Sequence, residues 1–506
     1  MKIVTRDEII NIDRRTTEKI PSILLMEHVA SDIFYLLVKR HKKNLYNNVV
    51  HIFASVGGNG GDGLALTRYL IKNGYDVKVY ITGNLDRVNK DTYSNFSILK
   101  SMYVDIVYLS DENRVLEAIA SIEDDDIVID SLFGVGGIRA LSGIEKLLID
   151  SVNELNVIRI AIDLPSGILS KIEDYSNENT CFRATETYTI CFAKDILFLY
   201  RTREYVGELF VIKSIFPDSV LEEASYKAQL IDYNEKINII KNPFFSKREQ
   251  GKLAIIAGSS EFLGASILAT MAAYRSGVGY IRLYVPKGIV SDIRTSIMTT
   301  MPEIVIIGVG NDGQKYFTEN DIHIYNDINK SDACLLGSGI GRELSTEVFV
   351  NAILKQIKVP TVVDADALYM MLPTTLDDLS DNFILTPHIY EFEKFMNIDS
   401  IEVLSNPYIA LSRFREYTKA NIILKDAISF IMNNNDIYVN YNPTNGMGKA
   451  GMGDVLAGLI ASYLSRKLSS LDACKLALIK QHNAFRKLLK SCSSDYIQPS
   501  DLVDIL

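Results

Sequence analysis

The sequence predicts an α/β chain of two doubly wound domains. Three observations carry that expectation. Short apolar runs alternate with amphipathic helical stretches along most of the chain, the alternation breaks once near the middle, and turns rich in glycine and aspartate follow the apolar runs. Short runs that are apolar throughout belong to strands covered on both faces, which calls for a parallel sheet between helix layers. A chain of 506 residues also exceeds what one hydrophobic core ordinarily serves.

In the first half the strand-like runs are Val49–Ser55, Asp76–Ile81, Asp105–Leu109, Asp126–Asp130 and Val157–Ile162, each reached through a polar helix or turn. From Phe216 to Gln250 the pattern weakens under proline breakers and charge, and the boundary is placed near Ser219–Ala228, giving domains of residues 1–220 and 228–506. A second series opens at Lys252–Ala257 and continues through Ile281–Val285, Ala333–Leu336, Thr361–Val363 and Ile422–Leu424. It ends in helical patterns over Gly453–Leu464 and Asp472–Leu489. The halves share a layer architecture but no motif, which is the mark of fusion rather than duplication.

Composition narrows the partners. A hydrophobic fraction of 47% and a charged fraction of 23% are those of a globular protein. A net charge of -10 without a Lys/Arg run lacks the footprint that nucleic acid requires. Local phosphate binding by helix N-termini stays open. The five cysteines have neither disulfide-framework nor zinc spacing. The polar N-terminus and the lack of an apolar run near the ~20 residues of a membrane span lead to a cytoplasmic expectation. The sequence leaves a homo-oligomer open.

The sharpest local signal is the stretch Asn445-Gly446-Met447-Gly448-Lys449-Ala450-Gly451-Met452-Gly453-Asp454 leading directly into a helix. Small residues admit an anion close to the backbone, the first helical N–H groups supply donors, and an Asp there can take a proton from a hydroxyl while a phosphoryl group arrives. A plain helix cap with a glycine turn is the alternative. Upstream, polar loops follow successive strands: Gly258-Ser259-Ser260 with Phe262-Leu263-Gly264-Ala265; Gly337-Ser338-Gly339-Ile340-Gly341; Val363-Asp364-Ala365-Asp366-Ala367-Leu368; Thr386-Pro387-His388 with Glu391; and Ile423-Leu424-Lys425. Strand-end loops of a parallel sheet share one rim, so these can form one site. His388 as a helix-entry residue bound to backbone, and Asp364 and Asp366 as a cap and a solvated carboxylate, are the structural readings.

In the first half, Val56-Gly57-Gly58-Asn59-Gly60-Gly61-Asp62-Gly63 follows the first strand but lacks the spacing of a dinucleotide fingerprint. Later runs end in Asp130-Ser131-Leu132-Phe133-Gly134-Val135-Gly136-Gly137-Ile138-Arg139 and in Asp163-Leu164-Pro165-Ser166-Gly167. Asn59, Asp62, Asp130, Asp163 and Ser166 are all oxygen donors, which suit a hard cation. Ordinary turn chemistry is the alternative.

The ordered set from about Lys247 onward resembles the ADP- or ATP-dependent NAD(P)H-hydrate dehydratases, which have a ribokinase-like fold. The resemblance implies that Ala265, Gly339, His388 and Asp454 touch the hydrate, with Asp454 as base. It implies that Lys425, Asp426, Ala427, Ile428, Ser429 and Gly453 touch the nucleotide, with ADP (or ATP) as phosphoryl donor and Mg2+ accompanying it. Lys425-Asp426 stands where that family usually has Lys-Gly. Residues Met1 to about Phe216 resemble the NAD(P)H-hydrate epimerases, with a Rossmann-like fold. The opening Asp13-Arg14-Arg15 helix and Leu25-Met26-Glu27 fit that family, while Gly58 and His28 replace its usual asparagines. Here the resemblance implies that K+ is held by Asn59, Asp130 and Ser166. The hydrate would be bound by Gly58, Asn59, Gly60, Gly61, Asp62, Gly134, Val135, Gly136, Gly137, Ile138, Arg139, Ala140 and Asp163, with Asp163 the candidate acid/base. The joint expectation is cofactor repair: R-to-S epimerisation, then ADP-dependent dehydration to NAD(P)H. The alternative is a ribokinase-fold small-molecule kinase with a non-catalytic N-terminal binding module.

Overall fold

The computed structural model describes residues 1–169, 179–240, 243–247 and 249–506. They form two compact units, Met1–Gln229 and Leu230–Leu506.

The first unit contains β1 (Lys2–Val4), β2 (Val50–Ser55), β3 (Val77–Thr82), β4 (Ile106–Tyr108), β5 (Ile127–Ser131), β6 (Ile158–Ile162), β7 (Glu186–Ile190), β8 (Ala193–Lys194), β9 (Glu208–Ile212) and β10 (Ala228–Leu230). Seven of these make a parallel sheet in the order β4-β3-β2-β5-β6-β7-β9. Alternation along the strands sends Ile52, Ile129 and Ile160 to one core and Phe53, Val128 and Ala161 to the other. The register sets Phe53 level with Asp130, and Asp130 level with Ala161, so the strands end along a common edge. The strand order reverses between β2 and β5, the point where a doubly wound sheet opens a crevice. Beside this sheet, β1 pairs parallel with β8 and antiparallel with β10.

The second unit contains β11 (Lys252–Ile256), β12 (Tyr280–Pro286), β13 (Val305–Val309), β14 (Ala333–Leu336), β15 (Thr361–Val363), β16 (Phe383–Leu385), β17 (Asn421–Leu424), β18 (Ser429–Asn433) and β19 (Asp436–Asn440). They follow the order β13-β12-β11-β14-β15-β16-β17-β18-β19. Strands through β17 are parallel, and β18 and β19 add antiparallel at the end. The reversal falls between β11 and β14, whose following loops are Gly258–Ala265 and Gly337–Gly341. Both units are thus doubly wound α/β folds.

Several strands escaped the apolar-run reading, and β7 shows why. Its sequence ETYTI buries Thr187 and Thr189, and Glu186 is buried through a bidentate Arg40, His41 and the Tyr188 hydroxyl. A buried strand whose polar groups find partners leaves no apolar signature. The hairpin β18–β19 was passed over at its Asn434-Asn435 turn, where Asn434 sits at φ 52°.

Helix Met452–Ser465 is apolar almost all round and buried along nearly its whole length. It crosses helix Leu263–Arg275 at Gly458, where a Cβ would lie 2.2 Å from the Ala269 carbonyl oxygen. That close approach packs the two helices tightly at their middles. Gly458→Ala is expected to destabilise the second unit by about 1–3 kcal/mol through overpacking, seen as a lower urea midpoint.

Candidate active sites

In the second unit the five loops meet, and the contacts can be followed residue by residue. Gly339, at φ 67°, leaves room for Ala265, whose Cβ would stand 2.9 Å from an added Cβ, and for Phe262. Gly337, at φ 127°, lets the Asp364 carbonyl oxygen approach to 1.9 Å from where a Cβ would be. Asp364 accepts from Thr386 Oγ1 at 2.7 Å and from Lys425 Nζ at 2.9 Å. The Lys425 backbone N–H donates to Pro387 O at 2.8 Å. Lys425 Nζ is 3.3 Å from where a Gly453 Cβ would stand, next to Asp454. Ala365, at φ 51°, is a non-glycine residue in the left-handed region, strain that turns Asp364 and Asp366 in different directions. Asp366 accepts from Gly341 N and Arg342 Nε at 3.1 and 2.8 Å.

The electrostatics centre on Asp454. Burial pushes its carboxyl up to about 7, with Asp364 adding repulsion, while the Ser338 hydroxyl and Lys425 oppose the shift. Buried Ser338 Oγ has no other hydrogen-bond partner among the described residues, and Ser259 Oγ, also buried, has none. Lys425 is held above the usual lysine range by Asp364 and Glu391 against the pull of burial. Burial raises Glu391 to about 7. His388 caps helix Ile389–Met396: its Nδ1 accepts from Glu391 N at 3.2 Å, and Glu391 Oε2 accepts from His388 N at 2.9 Å. Burial and the nearby Lys425 lower the proton affinity of the ring, whose outer side is half exposed. Of the five residues expected at the nucleotide besides Gly453, Lys425 reaches the centre. Asp426 and Ala427 are exposed on the loop, and Ile428 and Ser429 are buried where β18 begins. Arg342, which the sequence reading passed over, stacks 3.9 Å over the Tyr369 ring beside Asp366.

In the first unit a cavity of about 710 Å3 opens at the sheet edge, where strand order reverses. Gly58, Asn59, Asp62, Gly134, Val135, Gly136, Gly137, Arg139 and Asp163 line it. Gly60 and Gly61 do not: a Cβ at Gly60 would strike the Ser55 carbonyl of the first central strand, and one at Gly61 would meet Met26 and Thr92 on two neighbouring helices, so the first serves helix–strand and the second helix–helix packing. Ile138 and Ala140 are also outside the lining. Asp163, at φ 68°, turns its carboxylate under Gly134, whose Cβ would fall 2.7 Å from Asp163 Oδ2 and 3.3 Å from Asn59 Oδ1. Oδ2 accepts from Val135 N at 3.0 Å, and Oδ1 accepts from Lys194 Nζ at 2.5 Å and Ile190 N at 3.3 Å. Lys194 is almost wholly buried and also donates to Thr189 Oγ1 and Ile190 O. It was missed in the sequence, where the signal is a single lysine inside the apolar stretch Tyr188–Tyr200.

Asp130 is buried at the end of β5 and held by Ser166 N and Oγ, each at 2.7 Å, and by Leu132 N at 3.1 Å. Burial raises its carboxyl to about 6, and every group bound to it is neutral. Asp130 is thus a buried carboxyl held by two backbone N–H groups and one hydroxyl, with no cationic side chain bound to it among the described residues. Lys194→Met is expected to lower stability by about 3–5 kcal/mol by stripping Asp163 of its buried partner, with most of the loss recovered in Lys194→Met/Asp163→Asn, as measured by thermal melting.

Among known proteins, the NAD(P)H-hydrate dehydratase family matches residues 253–506, and the YjeF-related protein N-terminus matches residues 22–196. The bifunctional NAD(P)H-hydrate repair enzyme of Dictyoglomus turgidum is 31% identical over 94% of this chain and 92% of its own. That of Moorella thermoacetica is 26% identical over 100% of this chain and 96% of its own. An ADP/ATP-dependent NAD(P)H-hydrate dehydratase from Bacillus subtilis, crystallised with ATP/Mg2+, is 21% identical with a TM-score of 0.44, over 55% of this chain and 92% of that one.

Proposed function

We infer the chemistry of the two sites from the premise that this chain belongs to the family of bifunctional NAD(P)H-hydrate repair enzymes. It converts hydrated NADH or NADPH back to the reduced cofactor, with residues 1–220 as the epimerase domain and residues 228–506 as the dehydratase domain. The convergence of five strand-end loops on Asp454 and Lys425 supports this reading best.

In the dehydratase site, Asp454 accepts the proton of the hydrate hydroxyl as a phosphoryl group transfers from ADP to that oxygen. The hydroxyl thereby becomes a phosphate ester, which leaves far more readily than hydroxide. The ring nitrogen's lone pair then expels phosphate, and loss of a proton from the adjacent carbon restores the dihydronicotinamide. Ala265, Gly339 and His388 hold the hydrate, His388 with its outer nitrogen, since the inner one caps its helix. Lys425, the free N–H groups at Gly453, and the 425–429 loop hold the nucleotide phosphates. Exposure carries the Asp426 side chain toward solvent, where its repulsion of a phosphate is screened. Mg2+ comes with the nucleotide, whose phosphate charge it balances.

In the epimerase site, the hydrate occupies the cavity under Gly134. Asp163, locked by Lys194 and two backbone N–H groups, is its catalytic carboxylate, opposing the positive charge that develops on the ring nitrogen. Asn59, Asp130 and Ser166 would hold K+, which supplies Asp130 with the countercharge its neutral partners do not. The reading gives the enzyme a cytoplasmic place, with hydrate and adenine nucleotide as ligands and neither nucleic acid nor membrane as partner. No single helix among the described residues is long and apolar enough to cross a membrane.

Asp454→Asn is expected to cut ADP-dependent recovery of reduced-nicotinamide absorbance from the S hydrate by about 10²–10⁴-fold in kcat. A base works only when ionised, and this carboxyl is raised to about 7. Wild-type turnover is therefore full above that pH and lost as pH falls through it. A wild-type rate in Asp454→Asn overturns the assignment.

A further inference from the structure

Of the carboxyls on the wall of the epimerase cavity, Asp13 and Asp62 are the two that interact with Asp163, and neither has work assigned to it; Asp91 lies elsewhere on the wall. Asp62 is 91% buried in the first turns of helix Gly58–Lys72, and Asp13, on helix Arg6–Thr17, is open to the cavity. Among the described residues neither makes a hydrogen bond or an ion pair. The one buried cation nearby among the described residues, Lys194, is already committed to Asp163. A carboxyl so placed, with no partner and no cation of its own, keeps a proton more readily than one in water. Asp13, an exposed residue of its helix, has its carboxyl raised to about 6 by the cavity wall around it and by Asp163, against the pull of Lys194, and Asp62 is raised well above the ordinary range by burial, Asp163 and Asp13.

The groups around Asp13 support the same state. Asp62, Asp163 and Lys194 face the same cavity and Asp62 interacts directly with Asp13, while the Cys191 thiol, itself raised by burial, lies close to Asp13, Asp163 and Lys194. On Asp218–Glu223, also packed against the Asp13 helix, Glu223 is taken by Arg15. On the Val135–Gly137 turn, the other neighbour, there is no charged side chain, and Arg139 just beyond it pairs with Glu145.

We propose that Asp13 and Asp62 form a carboxyl pair carrying one exchangeable proton, and that this pair moves the proton in epimerisation. The proposal rests on the reading of this cavity as the epimerase site. The hydrated carbon is a hemiaminal: its C–O bond breaks as the ring nitrogen's lone pair forms a C=N bond, and the protonated carboxyl gives its proton to the departing oxygen, which leaves as water. Water then adds to the opposite face of the same carbon, the C=N electrons return to nitrogen, and the ionised carboxyl takes up the proton. One proton is given and one recovered, with no redox change, and the reverse direction uses the two groups in exchanged roles. Asp163 stays paired with Lys194 throughout.

The test is exchange between R and S hydrates by the full chain without ADP, so that the dehydratase is silent. The productive state has one group ionised and one protonated, so the wild-type rate rises with pH through about 6, as Asp13 loses its proton, and falls at higher pH, as Asp62 loses its own. Asp13→Asn is expected to lower kcat for exchange by about 10²-fold or more with little change in KM, and to lose the limb near 6. Asp13→Glu should restore part of the rate and the limb. Dehydration of the S hydrate with ADP, carried out in the other domain, monitors folding in each variant. Exchange at the wild-type rate and pH profile in Asp13→Asn, or an Asp13→Glu variant as slow as Asp13→Asn, overturns the pair. Exchange no faster than the spontaneous rate in wild type overturns the epimerase reading itself, and the pair with it.

Discussion

Both sites depend on carboxylates removed from water at the carboxyl ends of parallel strands, where buried positive charge is scarce. Asp364 and Asp454 share Lys425, while Glu391 stands beside them; in the first unit Asp163 holds Lys194, leaving Asp62 and Asp130 without a cation among the described residues. Burial penalises each ionised form, so proton affinities rise toward neutrality just where a base or an acid is needed.

Backbone conformation brings these groups together. Gly337 and Gly339 hold loops in left-handed conformations that allow the Asp364 carbonyl and Ala265 to come close, and Gly134 does the same for Asp163 and Asn59 without unusual angles. Ala365 and Asp163 take left-handed φ values although they have side chains, a strain of about 1–3 kcal/mol each in general terms. In both units the strained residue lies at the end of a strand and aims a carboxylate at the site, so packing below the rim supports the chemistry above it.

Most of this was legible in the sequence wherever the signal was local. The apolar runs that became β2, β5, β6, β11, β14 and β15, with the glycine turns after them, were readable because central parallel strands are buried on both faces. Strand β7 was not, since its buried Thr187, Thr189 and Glu186 are explained only by partners distant in sequence, Arg40 and His41 among them. The same limit hid the pairing of Lys194 with Asp163: it is one charged residue in an apolar segment, and its meaning comes from the wall it faces after folding. Gly60 and Gly61 mark the opposite limit, for in sequence a glycine packed against a neighbouring backbone carbonyl or side chain reads the same as one that lines a cavity.

The account joins two chemistries on one damaged cofactor, the first unit supplying the epimer that the second consumes. The most direct test gives the intact protein a mixture of both hydrate epimers together with ADP and follows the return of reduced-nicotinamide absorbance. The account predicts that the whole mixture is repaired, faster than spontaneous interconversion of the epimers allows. Recovery that halts once one epimer is used up would contradict it.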